Sequence, residues 1–191
     1  MSWGASMGKA QVFPLRRSTI VNFAVTVTLV FLAGCAVPEN FSMYPIALQA
    51  NSAVSDDLAV VLVGNSGQAP INYLQFGHSS LPAINAKDID LRPGNIVAIP
   101  IAVGIRSLSL QTYTLATQGA GYLPNGMSFG YIAVHTPKID LTSRGVYYLA
   151  TVLPGSQPNF TVEPDRAMLA QFAKAYPQIA KLRPVNFTWP K

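Results

Sequence analysis

Short apolar runs that end at glycine- and proline-rich turns fill the chain from residue 58 to residue 153. The runs are rich in β-branched and aromatic residues, which favour strands. The predicted strands are 58–63, 71–76, 89–91, 96–103, 105–115, 127–135 and 145–153. This spacing is typical of an antiparallel sandwich or barrel, and we predict a mainly β fold, an antiparallel β-sandwich.

Two of these strands carry more detailed information. Alternation of apolar and polar residues is clearest in 105–115, which predicts a half-buried strand. One face of that strand is predicted to carry Leu108, Leu110, Thr112 and Thr114. In the strand at 96–103, Pro100 cannot donate a ladder hydrogen bond, which predicts an edge strand or a bend.

One C-terminal α-helix is predicted after the strands. It begins at residues 163–165, with Pro164 in its first turn and acidic residues near the positive end of the helix dipole. Its apolar stripe comprises Met168, Leu169, Phe172 and Tyr176. Pro177 ends the helix, and the stripe is predicted to pack on the sandwich. The tail at 178–191 is expected either to lie along the domain or to reach a partner.

A different apolar run precedes the strands, at residues 20–34, and follows the basic pair Arg16 and Arg17. A helix needs about 20 apolar residues to span a bilayer, so this run is short for a permanent anchor. A basic start, a short apolar stretch and small residues at its end are typical of a secretory signal peptide. We therefore expect a signal helix that is cleaved from the mature protein.

The end of that run, Leu32-Ala33-Gly34-Cys35, resembles the lipobox of bacterial lipoproteins at all four positions. In that family the cysteine receives a diacylglyceryl group, a peptidase cuts before it, and the new amino terminus is acylated. The resemblance implies that Cys35 begins a mature chain that its lipid holds to a membrane. Ala36, rather than aspartate, follows it, which implies the outer membrane. The periplasmic face of the inner membrane is the alternative.

The charge of the chain changes when it is divided at Cys35. All eight acidic residues lie after Cys35, whereas three of the 13 basic residues lie before it. The mature chain then has ten basic and eight acidic residues, and its net charge is +2 instead of +5. This small excess gives no reason to expect nucleic acid as a partner. Cys35 is also the only cysteine, which excludes an intramolecular disulfide.

These features predict a lipoprotein signal peptide at 1–34, a lipidated N-terminus and tether at 35–57, the sandwich at 58–163, and the helix and tail at 164–191. Within the sandwich, the segment 89–94, which ends in Pro-Gly, and the segment 141–149, which contains Gly-Val-Tyr-Tyr, resemble small prealbumin-like lipoproteins of unknown function. The resemblance supports a β-sandwich and implies nothing about activity.

Residue types that carry catalysis are sparse and scattered. Ser66 lies in a glycine-rich turn and could act as a nucleophile with His78 or His135, which makes a periplasmic hydrolase an alternative function. The chain has no Gly-x-Ser-x-Gly elbow and no obvious orienting acid, and a β-turn explains the same residues. Asp88 and Asp90 would share a strand face and could bind Ca²⁺ weakly, or form a solvated face. No enzyme, cofactor or metal site is therefore predicted.

The loop at 118–130 has the composition of a recognition loop. It combines four glycines with Tyr122, Met127 and Phe129, and mobile backbone with aromatic side chains is typical of partner-binding loops. A long hairpin folded back on the sheet is the alternative. We therefore expect a lipid-anchored structural or interaction module that binds an envelope protein in a secretion, pilus or transport complex. A carrier of a small apolar or glycan ligand, with a deep apolar pocket, is a further alternative.

Overall fold

Two four-stranded β-sheets pack together in the computed structural model, which describes residues 41–79, 82–116, 130–153 and 159–190. The strands are β1 Leu58–Asn65, β2 Ile71–Gly77, β3 Ile84–Ala86, β4 Asn95–Ala102, β5 Ser109–Leu115, β6 Tyr131–Ala133, β7 Val146–Leu153 and β8 Asn159–Thr161. Sheet A has the order β4-β1-β7-β8, and sheet B has the order β3-β2-β5-β6. The predicted β-sandwich is thereby confirmed.

Most of the predicted strands are present. β1, β2, β4 and β7 match predicted ranges to within two residues, whereas β5 and β6 are shorter and lie within the predicted ranges 105–115 and 127–135. The strand predicted at 89–91 is wrong, because Leu91 forms only an isolated bridge to Ile71. The sequence does not predict β3 and β8, since strands of three residues are too short to show a periodic pattern.

One strand pair differs in direction from the others. Among the described residues every pair of strands is antiparallel except β1 and β7, which run parallel with Val61 opposite Tyr147. All the strands of sheet B lie between β1 and β7 in the sequence. No tight turn therefore joins β1 to β7, and none fixes the direction of β7 relative to β1. Sheet A is therefore mixed rather than purely antiparallel.

A β-bulge at Gln111 changes which side chains of β5 face the core. The register of β5 against β2 shifts there, so Gln111 is an extra residue in the ladder. The alternation reverses after the bulge: Tyr113 enters the core, whereas Thr112 lies outside and donates its hydroxyl to a side chain of β2. The prediction that Thr112 and Thr114 share a face with Leu110 is therefore wrong.

β4 is an edge strand of sheet A, as Pro100 predicts. Exposed strand edges are templates for pairing with other chains. Pro100 offers no N–H to such a partner, and the Ala98 carbonyl already accepts a hydrogen bond from Leu48 N–H, with 2.9 Å between nitrogen and oxygen. The proline and this contact together reduce the number of backbone groups on β4 that are free to pair with another chain.

Part of the predicted tether lies against the sandwich. Its side chains that contact the hydrophobic cores of the domain are Phe41, Ala47, Leu48 and Val54. Its backbone is bound as well, since Asn85 N–H donates to Met43 O over 2.7 Å. The folded domain therefore includes residues 41–57, whereas residues 35–40 of the predicted tether lie outside the described residues.

Apolar side chains from both inner faces fill the space between the sheets. The largest fully buried ones are Tyr113, Phe76, Ile71, Leu74, Ile84, Leu91, Ile99, Leu108, Leu110 and Leu141. Tyr113 differs from the others because it brings a hydroxyl into the core, and that hydroxyl has no hydrogen-bond partner among the described residues.

A second hydrophobic core covers the outer face of sheet A. Two helices, α1 Arg166–Ala175 and α2 Pro177–Ala180, contribute Met168, Leu169, Phe172 and Ile179. These side chains pack on the strand residues Val60, Leu62, Ile96, Ala98, Val146 and Tyr148. The predicted packing of the apolar stripe is confirmed, and Tyr176 stacks on Phe172 with ring centroids 4.4 Å apart.

Helix α1 begins later than predicted. Asp165 is its N-cap, and its carboxylate accepts from the N–H groups of Ala167 (2.8 Å) and Met168 (3.0 Å). Pro164 therefore precedes the helix instead of lying in its first turn. Pro177 follows α1 and starts α2, where its missing N–H is tolerated. Neither helix of the described residues is long and apolar enough to cross a membrane.

The C-terminal tail lies along the domain, which is the first of its two predicted positions. Val146 N–H donates to Arg183 O, and Val185 N–H donates to Val146 O, both over 2.9 Å. The Asn186 side chain accepts from Tyr148 N–H (2.8 Å) and donates to Tyr148 O (2.7 Å). The tail therefore pairs with the start of β7, beside the part of β7 that pairs with β8.

Replacing Asp165 by alanine is expected to lower the free energy of unfolding by about 1 kcal/mol, because two N–H groups of α1 lose their acceptor. Urea unfolding followed by circular dichroism measures this loss. Asp165→Asn is the matched control, since asparagine caps helices as well as aspartate does. An equal loss in both variants would contradict the capping role.

Tyr113→Phe is expected to raise the free energy of unfolding by about 1–3 kcal/mol, because it removes a buried hydroxyl that has no partner. Burial raises the pKa of Tyr113 above its ordinary value of 10.0. The unfolded chain therefore loses this proton first, and the wild-type stability falls as the pH rises above 10.0. The Tyr113→Phe variant has no phenol proton at this position, so this part of the loss of stability at alkaline pH is absent from it.

Urea unfolding at neutral pH and at about pH 11 measures both effects of Tyr113→Phe. Tyr148→Phe is the contrasting control, because the Tyr148 hydroxyl is hydrogen-bonded to Thr151. Its removal is expected to destabilise the domain by about 1 kcal/mol. A Tyr113→Phe protein less stable than the wild type would show that the Tyr113 hydroxyl is satisfied.

Candidate functional site

The residues that carry the lipoprotein and loop predictions lie outside the described residues. They are Cys35, Tyr122, Met127 and Phe129. Their roles in lipidation and partner binding stay predictions. The surfaces of the described residues carry the features that follow.

The structure separates Ser66 from both histidines. Ser66 follows β1, at the end of the sandwich where β2 begins, and its hydroxyl donates to Val152 O over 3.3 Å. His78 follows β2, so the length of that strand, about 23 Å, lies between the two residues. β6 runs in the same direction as β2, which places His135 at the end of the sandwich where His78 lies. The geometry gives the hydrolase alternative no support.

Asp88 and Asp90 do not share a strand face. They lie in a loop before β4, and Asp88 has a φ of 55°. Asp90 is paired with Arg92, whose Nε and Nη2 each lie 2.9 Å from Asp90 Oδ2. In the part of the chain that the structure describes, no three histidine, cysteine, aspartate or glutamate side chains converge as metal ligands. The predicted arrangement of these two carboxylates is therefore wrong.

Apolar side chains occupy the space between the sheets where a carrier would hold its ligand. Grooves of ligand size lie on the surface instead. One groove of about 420 Å³ lies between α1, β4 and residues 47–49, with Asp88 and Asp90 in its lining. Another, of about 470 Å³, lies between residues 51–54, Arg144 and α2. Neither groove is the deep apolar pocket that the carrier alternative predicts.

The two outer faces of the sandwich differ in cover and in chemistry. Both described helices pack on sheet A, so neither covers the outer face of sheet B. The outward side chains of sheet B that solvent reaches include Tyr73, Gln75, Asn85, Thr112 and Tyr131. We call this set the tyrosine–amide face. Its members are hydroxyls, amides and aromatic rings, and none is an acid or a base of the kind that solvated surfaces favour.

A hydrogen-bonded network joins the centre of the tyrosine–amide face across three strands. Asn85 Oδ1 on β3 accepts from the Tyr73 hydroxyl and from Gln75 Nε2, both on β2, at 2.5 and 3.0 Å. The Thr112 hydroxyl on β5 donates to Gln75 Oε1 over 3.1 Å. Side chains that are bonded to each other in this way hold fixed positions, so their remaining donors and acceptors are preorganised.

Aromatic rings flank this network on both sides. Tyr131 on β6 packs edge-on against Tyr73 with ring centroids 5.5 Å apart, and 53% of Tyr131 is exposed. Beyond β3, Tyr44 is 56% exposed, and Lys87 Nζ lies 4.8 Å from the centre of its ring. A backbone hydrogen bond from β3 holds the segment that carries Tyr44 in place. Two exposed rings therefore border an amide centre.

The Tyr73 hydroxyl at the centre of the tyrosine–amide face keeps its proton at ordinary pH. Burial raises the pKa of Tyr73 above its ordinary value of 10.0, and the neighbouring Tyr131 and Tyr44 raise it further, while a hydrogen bond with Gln75 opposes them. The residue opposite both Tyr73 and Tyr131 in the ladder is Thr114, which is uncharged and fully buried, so it brings no charge near the Tyr73 hydroxyl. The Tyr73 hydroxyl is therefore a neutral donor to the network.

The sequence predictions missed this face, although one signal for it is present. In β2 the partly exposed Tyr73 and Gln75 alternate with the buried Leu74 and Phe76. An outward pair of a tyrosine and an amide on one strand marks a polar surface with aromatic character. The same signal is missing for Asn85, because β3 has only three residues.

No protein-family model matches the chain, and no curated protein gives a significant match to its sequence. The chemistry of the described surfaces is therefore the basis for inferring function.

Proposed function

We propose that the chain is a lipid-anchored envelope protein whose sandwich is a non-enzymatic binding module, with the tyrosine–amide face as its recognition surface. The difference between the two outer faces carries this proposal. Sheet A is covered by helices and tail of its own chain, whereas the hydrogen-bonding centre of sheet B lies between the exposed Tyr131 at one edge of the sheet and the exposed Tyr44 beyond the other edge. Tyrosine is favoured in binding surfaces because a rigid ring gives much contact area at a low entropy cost.

The low charge of the face supports binding over simple solvation. Charged residues make up 11% of the chain, compared with about 25% in an average soluble protein. An exposed ring such as that of Tyr131 leaves apolar surface in water, at about 25 cal/mol per Å². A bound partner would recover that free energy. The separation of Ser66 from His78 and His135 supports binding over catalysis.

The membrane part of the proposal depends on the lipobox resemblance at Cys35. Cys35→Ala is expected to abolish the incorporation of labelled palmitate and to leave an unprocessed precursor, because no thioether can form. Metabolic labelling and separation of inner and outer membranes measure both effects. Ala36→Asp is the matched control, which should keep the label and move the protein to the inner membrane. Labelled Cys35→Ala protein would contradict the proposal.

The partner is proposed to be another component of the cell envelope. That this component is a protein is a prediction from the sequence alone. Tyr131→Ala is expected to reduce at least about tenfold the amount of that component that co-purifies after mild detergent extraction. Val162→Ala is the matched control, because Val162 is 48% exposed and follows β8 in sheet A. Equal recovery with both variants would contradict the recognition role of this face.

A further inference from the structure

We infer that the tyrosine–amide face binds an uncharged oligosaccharide. The inference rests on the proposed function, since it names the class of ligand for the same surface. The hydrogen-bonding groups, the rings and the neutrality of the face match a sugar, and each of the three disfavours other common ligands.

The absence of charge limits the ligand to a neutral one. The tyrosine–amide face contains no carboxylate, amine, guanidinium or imidazole, and the nearby cation, Lys87 Nζ, lies over the ring of Tyr44 at 4.8 Å. Phosphates and carboxylates are bound by arginine, lysine or clustered backbone N–H groups. An ionised ligand on the amide centre of this face would lose hydration without gaining an ion pair there.

The centre of the face offers donors and acceptors in alternation. Gln75 and Asn85 each use one amide hydrogen within the protein, to Asn85 Oδ1 and to Ala83 O, and each has a second one. Tyr73 and Thr112 donate their only hydroxyl hydrogens within the network, so their oxygens serve as acceptors. Each sugar hydroxyl both donates and accepts a hydrogen bond. Donors that alternate with acceptors on the protein can therefore bind neighbouring hydroxyls of one sugar ring.

The aromatic rings lie where they can contact the apolar faces of sugar rings. Tyr131 lies at one edge of sheet B and Tyr44 lies beyond the other edge, and both are more than half exposed. An exposed aromatic ring buries the C–H face of a pyranose as it buries other apolar surface. Neighbouring strands are about 4.8 Å apart, so the four strands span about 14 Å. That width suits a short oligosaccharide lying across the strands.

The same arrangement disfavours a protein as the occupant. Protein–protein interfaces have an apolar centre and a polar rim. On the tyrosine–amide face the amides and hydroxyls form the centre, and the exposed rings Tyr44 and Tyr131 form the rim. A protein partner would have to desolvate the network at the point where interfaces normally gain most of their binding energy.

Calorimetric titration of the full-length protein in detergent micelles tests the inference. The neutral probes are maltoheptaose, cellopentaose, chitopentaose and mannopentaose, and oligogalacturonate is the anionic probe. We expect saturable binding of at least one neutral probe and no binding of the anionic one. Tyr131→Ala and Gln75→Glu should each weaken that binding at least about tenfold, because they remove a ring and an amide donor.

Two controls separate binding from folding. Val162→Ala alters an exposed apolar residue that follows β8 of sheet A and should bind as the wild type does, whereas Tyr131→Phe keeps the ring and should lose less affinity than Tyr131→Ala. Urea unfolding of each variant identifies any that lost stability, and the comparison is then made between Tyr131→Phe and Tyr131→Ala.

The possible outcomes distinguish this inference from the proposed function. If no neutral probe binds while Tyr131→Ala still reduces co-purification, the ligand is a protein, so the inference fails and the proposed function stands. If a probe binds and neither Tyr131→Ala nor Gln75→Glu weakens it, the sugar binds elsewhere and the inference fails. The proposed function fails as well only if Tyr131→Ala also leaves co-purification unchanged. If oligogalacturonate binds as tightly as the neutral probes, the conclusion that the ligand is uncharged is overturned.

Discussion

Burial of β1 and β7 on both faces is the constraint on which the rest of the structure depends. Ala59, Val61 and Val63 face the core between the sheets, while Val60 and Leu62 face the core beneath the helices. A strand in this position has no place for a charged side chain, which is why β1 is a continuous apolar run. The helices and the tail are therefore needed to cover sheet A, and among the described residues no helix covers the outer face of sheet B.

Features of the fold that arise from neighbouring residues were predictable from the sequence. The apolar runs of β1 and β7, the edge position of Pro100 and the apolar stripe of α1 all follow from local patterns. Features that depend on distant segments were not predictable. The parallel direction of β7 and the pairing of Asn186 with Tyr148 are set by packing between segments far apart in the chain.

The candidate site was predictable only in part for the same reason. Tyr73 and Gln75 follow the ordinary alternation of a strand, whereas Thr112 reaches the face only because of the bulge at Gln111. A bulge inserts one residue and reverses every later side chain, and no local signal in β5 marks it. Ser66 and the histidines stand out by residue type, yet strand direction places them at opposite ends of the sandwich.

The pairing of the tail with β7 has a consequence for the order in which the domain is completed. Asn186 and Tyr148 are 38 residues apart, and the tail also supplies Phe187 and Trp189 to the core on sheet A. A chain synthesised from its amino terminus exposes the apolar outer face of sheet A until these late residues arrive. Until then the incomplete domain keeps an exposed apolar surface of the kind that makes folding intermediates prone to aggregation.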